Sequence, residues 1–285
     1  MQNYNSKVIL FDNRIEIIKY GGNMQRAPNE KDESNNHARM NIDDEEYKER
    51  QAMEQAYRIK RKIKYYCLAN NFDLFWTLTL NDKKVNAMNY EYSRKRLQSW
   101  LKYMRETYGR FGFLFVPELH KSGRIHFHGV TQGFSPPLIE ARFPNNKRLI
   151  KKNGIQIYNA PKWKNGFSTV SMIQDREKAS SYITKYITKD LIRTPSAYHQ
   201  PRYFVSRGLK QPEITYEDLP DEYFESFLPS FVVGRKESLG EPFEKEVSIY
   251  QIDITEDGEM MQLQPPETLY KLKQEKSSDG NQSFQ

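Results

Sequence analysis

The chain has a single cysteine, Cys67, in 285 residues. That excludes an intramolecular disulfide framework and a cysteine-rich zinc module, and it fits a reducing compartment. No stretch approaches the ~18 uncharged apolar residues of a membrane span. The opening MQNYNSKVILFDNRIEII lacks the basic-then-apolar pattern of a secretory signal. Neither a transmembrane nor a secreted protein is expected, and the expected location is the cytoplasm. No Gly-x-x-x-x-Gly-Lys-Ser/Thr phosphate loop occurs, so a nucleotide motor of that kind is absent from these residues. Histidine is scarce as well, with five in all, yet three of them are His120, His126 and His128.

Acidic residues are short in one part of the chain and abundant in the other. Residues 1–212 carry 38 Lys and Arg against 20 Asp and Glu, whereas residues 213–285 carry 6 against 17. A basic body with an acidic C-terminal segment suggests a polyanion as the partner of the body. A surface made basic only for solubility is the competing reading. Aromatic residues reach 13%, which supplies rings for base stacking, although most are expected in the core.

The residue pattern divides the chain into four pieces. Residues 1–42 read as an N-terminal hairpin, around the turn Asp12-Asn13, followed by a polar flexible linker over 20–42. Residues 43–212 read as the main domain, opened by a helix over 43–69 that ends in the basic stretch YRIKRKIKYY. That stretch suits a helix C-terminus and could lie along a phosphate backbone, or it is a solvated basic face. Strand-like runs follow at 72–80, 112–119, 124–132, 167–173 and 202–206, with amphipathic helices at 89–108 and 175–192 and a long basic loop at about 134–166. The order β-α-β-β-loop-β-α-β points to an α+β fold. Its expected form is a two-layer antiparallel sheet with helices on one face, of the ferredoxin-like kind. Residues 213–262 form an acidic appendage with two apolar runs that could make a small hairpin, and 263–285 read as a disordered tail.

Two constellations could carry chemistry. Side chains two apart on a strand share a face, so His126 and His128 project together, and Glu118 sits across the tight turn on the paired strand. Two imidazoles and a carboxylate suit a divalent metal with positions left open; hydrogen-bonded surface or core histidines are the alternative. The second constellation is YITKYITK, residues 182–189. Tyr182 and Tyr186 fall one helical turn apart, with Lys185 and Lys189 at the same spacing on a neighbouring face. A tyrosine pair at this spacing is also what half-buried packing produces. A phenol is a poor nucleophile until a cation or a metal-bound phosphate lowers the barrier, and the adjoining Lys residues and a nearby metal could do both. The pieces together point to phosphodiester transfer. A metal on Glu118, His126 and His128 would polarise the phosphate, and Tyr182 or Tyr186 would attack in line.

FWTLTL, PELHKSGRIHFHG and YITKYITKD, in that order, resemble motifs I, II and III of the HUH endonuclease superfamily. The likeness is to the rolling-circle replication initiators of small single-stranded DNA phages and bacterial plasmids, and it covers roughly residues 60–210. It implies metal ligands at His126 and His128 with Glu118 as the third, and paired catalytic tyrosines at Tyr182 and Tyr186. Lys185 and Lys189 would contact phosphate or metal-bound water, and Thr77 and Thr79 would be structural. The resemblance further implies Mg²⁺ or Mn²⁺ as cofactor and single-stranded or hairpin origin DNA as substrate. It implies nicking with a 5′-phosphotyrosyl intermediate and a free 3′-OH, later rejoining, and the cytoplasm of a bacterial host. With no phosphate loop present, a host helicase and a host polymerase become expected partners. His120 shares a face with Glu118 if the strand persists that far; it could be an extra ligand, but a place beside the ligands or on the surface is the expectation. A relaxase or single-strand transposase of the same superfamily would use the same chemistry. From another class, a non-catalytic RRM-like single-stranded nucleic-acid-binding module has a similar outline.

Overall fold

The computed structural model describes residues 2–26, 45–84, 86–188, 191–192, 200–235, 244–263 and 265–272. Two compact units make up the chain, residues 1–40 with 212–285 and residues 41–211.

The first unit begins with strands β1 (Gln2–Phe11) and β2 (Arg14–Arg26), an antiparallel hairpin. Asp12 and Asn13 make its turn, as their tolerance of turn geometry favours. Strand β2 runs on through residues 20–26, where composition pointed to a linker, because Tyr4 pairs with Met24 beyond a bulge. Residues 27–42 of that linker lie outside the described residues.

The second unit opens with α1 (Glu45–Ala69) and strand β3 (Leu74–Leu80). Helix α2 (Tyr90–Tyr108) starts where the Asn89 side chain accepts from the Tyr92 N–H and stops at Gly109, whose φ of 86° few other residues adopt. Strands β4 (Gly112–Leu119) and β5 (Ile125–Gln132) form a hairpin across the turn at Gly123. The basic loop carries four two-residue strands: β6 (Ile139–Glu140), β7 (Lys151–Lys152), β8 (Ile155–Gln156) and β9 (Tyr158–Asn159). Elements this short leave no periodicity to read. Strand β10 (Gly166–Met172), helix α3 (Arg176–Thr184) and strand β11 (Phe204–Val205) complete the unit. Its main sheet has the order β11-β4-β5-β3-β10-β9-β6, antiparallel at every pairing.

Among the described residues the fold is α+β, with mainly antiparallel sheets and the helices α1, α2 and α3. Alternate residues of β3 address different helices: Trp76 meets Trp100 of α2 at 5.5 Å, and Phe75 meets Tyr182 of α3 at 5.2 Å. These neighbours point to opposite faces of the strand, so α2 and α3 lie on opposite sides of it. Trp76, Leu78, Leu97, Met104, Phe115 and Phe127 are all buried within one continuous core.

The C-terminal segment supplies β12 (Glu213–Glu217), a 3-10 turn at Asp221–Phe224, β13 (Phe231–Arg235), β14 (Glu244–Ile254), β15 (Met260–Met261) and β16 (Leu269–Leu272). The sheet order β12-β1-β2-β14-β13-β16 puts the N-terminal hairpin between two C-terminal strands. The hairpin and the acidic appendage thus build one sheet over a core of Ile17, Phe224, Tyr250 and Ile252. Strand β16 falls where disorder was expected from composition, since its parallel pairing with β13 supplies backbone partners that composition does not register. Residues 273–285 of that tail lie outside the described residues. Among the described residues no helix is long and apolar enough to cross a membrane.

Candidate active site

His128 projects from the middle of β5 and is 4% exposed. Its Nε2 stands 2.7 Å from Glu118 Oε2 on β4, and its Nδ1 stands 3.2 Å from Thr77 Oγ1 on β3. The register explains the trio, because Thr77 and Val116 lie directly opposite His128 while Glu118 lies opposite His126, on the same face. Burial holds the His128 imidazole below its usual pKa, against the pull of Glu118, so the ring is neutral at pH 7. The hydrogen bond to His128 holds the Glu118 carboxyl below its usual range, assisted by the neighbouring imidazoles. The site therefore pairs an ionised carboxylate with a neutral ring.

His126 shares the face of His128 but stacks on His120 at 5.5 Å. Burial lowers its pKa too, which leaves a second neutral imidazole. His120 is exposed and its Nδ1 lies 3.1 Å from Ser122 Oγ.

The tyrosines come from the end of α3. Asp175 caps this helix by accepting from the Lys178 N–H at 3.0 Å. The helix closes at Thr184, well before the boundary at 192 that the apolar spacing suggests. The Thr184 hydroxyl turns back onto the Ser180 and Ser181 carbonyls, and Thr188 Oγ1 accepts from the Leu191 N–H to start another turn. Tyr182 therefore sits in the helix and Tyr186 in the turn beyond it. Their rings still meet edge-on at 5.4 Å. The Tyr186 ring lies flat on His128, with centroids 3.6 Å apart and planes 2° from parallel, and Tyr182 meets the same imidazole edge-on at 6.3 Å. The strand histidine and both phenols form one cluster.

Burial raises the Tyr186 phenol well above its usual pKa, and a hydrogen bond with Tyr182 and the charge on Glu118 add to this. Lys185 Nζ lies 3.7 Å from the centre of the Tyr182 ring, and Lys152 Nζ lies 5.4 Å from it. Lys189 lies outside the described residues. Lys152 was not singled out by motif spacing, and Thr77 was expected to be structural only. Thr77 was readable from the register of a strand facing His128. Lys152 is one of many cations in the basic loop, and only the β7–β8 hairpin brings it here. Cys67 offers no rival nucleophile, since burial pushes its thiol up to about 12.

The donor chemistry can be tested against a divalent cation. Thr77 can accept from Nδ1–H as readily as it can donate, and acceptance frees the Nε2 lone pair beside Glu118. Two donors ~2.1 Å from one octahedral ion are roughly 3 Å from each other, close to the 2.7 Å found between Glu118 and His128. This pair fits. Among the described residues, however, no group of three His, Cys, Asp or Glu side chains is placed to hold a metal ion. His126, turned onto His120, is the member that does not converge.

Fold and site define a class: an antiparallel α+β domain with paired tyrosines against a carboxylate–imidazole pair. Residues 73–191 match the family described as Replication-associated protein, of the ORF2 type. That stretch, less than half of the 285 residues, contains Thr77, Glu118, His126, His128, Lys152, Tyr182, Lys185 and Tyr186. The likeness supports a role in initiating replication and an interaction with DNA. No curated protein and no solved structure matches the chain.

Proposed function

We propose that the protein nicks single-stranded or hairpin origin DNA by tyrosine attack, in the manner of the HUH initiators of rolling-circle replication. The observation that carries this reading is the contact between Tyr186 and His128, with Tyr182 alongside and Lys185 over its ring. A phenol hydroxyl loses its proton as Oη bonds to the scissile phosphorus. The bond to the 3′ oxygen breaks, leaving a 5′-phosphotyrosyl link and a free 3′-OH. The link keeps the energy of the broken phosphodiester, so a later 3′-OH can reverse the step, and a second tyrosine allows another transfer before the first end is released. Lys185 and Lys152 draw the phosphate toward Tyr182 and offset its charge. Glu118 and His128 are the pair that would hold Mg²⁺ or Mn²⁺, with His126 as the third ligand once its ring turns away from His120. When bound, such an ion acts as a Lewis acid on the phosphate.

These residues carry no phosphate loop, so strand separation falls to supercoiling or to a helicase of the bacterial host, whose polymerase would extend the 3′-OH. The test is incubation with single-stranded origin DNA and Mn²⁺, followed by a denaturing gel. A protein–DNA adduct that is absent in EDTA and in the Tyr182→Phe/Tyr186→Phe double variant is expected. An adduct that persists under both conditions would rule out this chemistry. No adduct with any origin sequence would leave a binding module.

A further inference from the structure

A cavity of about 1350 Å³ opens where α2 ends and β4 begins, and none of the tyrosine-cluster residues lines it. Its wall includes Arg105, Arg110 and Arg207, with Phe113 and Tyr203 among the rings. The one acid in the lining, Glu106, is paired with Lys102 at 3.8 Å. Among the described residues no carboxylate pairs with Arg105, Arg110 or Arg207. The Arg105 guanidinium lies 5.9 Å from the centre of the Phe113 ring, a flat cation resting near a flat ring. No carboxylate of the lining neutralises these three guanidinium groups, and a polyanion would supply the missing charge.

We propose that this cavity is a second contact for single-stranded DNA, holding the strand that leads to or from the nick. The proposal rests on the DNA-nicking reading for the path of the strand, but not for its chemistry. Guanidinium planes and tyrosine rings accept unstacked bases of any identity, and the arginines take the phosphates. The volume exceeds the ~300–1,000 Å³ of an enclosed small-molecule pocket, which suits a polymer passing through. Strand β4 links the two places: Gly112 lines the cavity and Glu118 belongs to the tyrosine cluster. Six residues of extended chain separate them, about 20 Å at ~3.3 Å per residue, a span that several nucleotides cover. Residues 41–211 carry 32 Lys and Arg against 15 Asp and Glu, so the unit as a whole favours phosphate.

The test uses the full chain with Tyr182→Phe/Tyr186→Phe, without divalent metal, and a fluorescent 20-mer of deoxythymidylate carrying 5-iododeoxyuridine. Binding by anisotropy across salt concentrations is compared among this parent, Arg105→Ala/Arg110→Ala/Arg207→Ala, and a control with the exposed cations Lys83, Lys95 and Arg148, which lie outside the cavity lining, changed to Ala. The cavity triple is expected to lose at least tenfold in affinity. It should also flatten the log–log salt slope by about 2, at roughly 0.7 per phosphate contact on a single strand. Photo-crosslinks are expected at Tyr203. Equal effects of the two triples, or crosslinks that spare the cavity wall, would overturn the proposal. So would displacement of the 20-mer by millimolar deoxythymidine monophosphate, which would make the cavity a free-nucleotide site. If the chain with both tyrosines intact forms no adduct with origin DNA and Mn²⁺ while the arginine effects persist, the nicking reading fails and the cavity contact stands.

Discussion

Thr77 and Tyr186 constrain His128 from two directions, the first through its Nδ1 and the second through the face of its ring. Thr77 is the cheaper of the two to test, since Thr77→Val keeps the branched shape and removes only the hydroxyl. If that hydroxyl selects the tautomer that leaves Nε2 free, Mn²⁺ affinity should fall ~10–100-fold with an unchanged far-UV spectrum. Titration calorimetry reads the affinity, and an unaltered value would mean that the tautomer is set elsewhere. The two tyrosines are not equivalent either. Tyr186 is pinned against the imidazole and shares its proton in a hydrogen bond with Tyr182. Tyr182 has Lys185 at 3.7 Å and Lys152 at 5.4 Å. On the proposed nicking reading, the first strike would then fall to Tyr182. Tyr182→Phe is expected to abolish the initial adduct on a denaturing gel, while Tyr186→Phe forms it and fails at the second transfer. The reverse pattern would exchange the two roles.

Much of the unit over residues 41–211 was legible as elements, because each long strand of its sheet carries its own signal. Leu74, Trp76, Leu78 and Leu80 alternate with half-buried neighbours, and the pattern survives into the structure unchanged. The end of α3 was not legible in the same way. Ile183, Ile187 and Leu191 keep apolar helical spacing and all are buried, yet the hydroxyls of Thr184 and Thr188 offer the backbone other partners and split the segment. The convergence of Glu118 with His128 followed from hairpin pairing alone, whereas the turn of His126 toward His120 depends on rotamers that spacing does not determine. Gly129 is another position whose role appears only in three dimensions. A Cβ there would lie 2.2 Å from a Phe115 ring atom, in the middle of the core. Gly129→Ala must displace that ring, at a cost of about 1–3 kcal/mol. At ~2–4 °C per kcal/mol for a domain of this size, thermal unfolding should come several degrees lower. A calorimetric scan with no shift would show that the sheet yields more easily than its packing implies.

At the scale of the whole chain, the least legible feature is the pairing of its two ends. Ser6 stands opposite Glu217 and Ile18 opposite Ile249, contacts across more than 200 residues that no local pattern announces. The consequence is mechanical. The N-terminal hairpin has β12 on one edge and β14 on the other, so removing residues 213–285 bares both edges at once. A lone two-stranded hairpin is marginal in water, and bare edges invite pairing with other chains. Ile17, buried against Phe224, Tyr250 and Ile252, would lose that core as well. Limited proteolysis of the truncated chain is therefore expected to cut rapidly within residues 2–26, where the full chain resists. Cys67 belongs to the other unit and is 3% exposed there, so its thiol should stay unreactive toward iodoacetamide in both chains. Resistance of the hairpin after truncation would show that it needs neither neighbour. Rapid labelling of Cys67 would show that the acidic segment also supports the unit over residues 41–211.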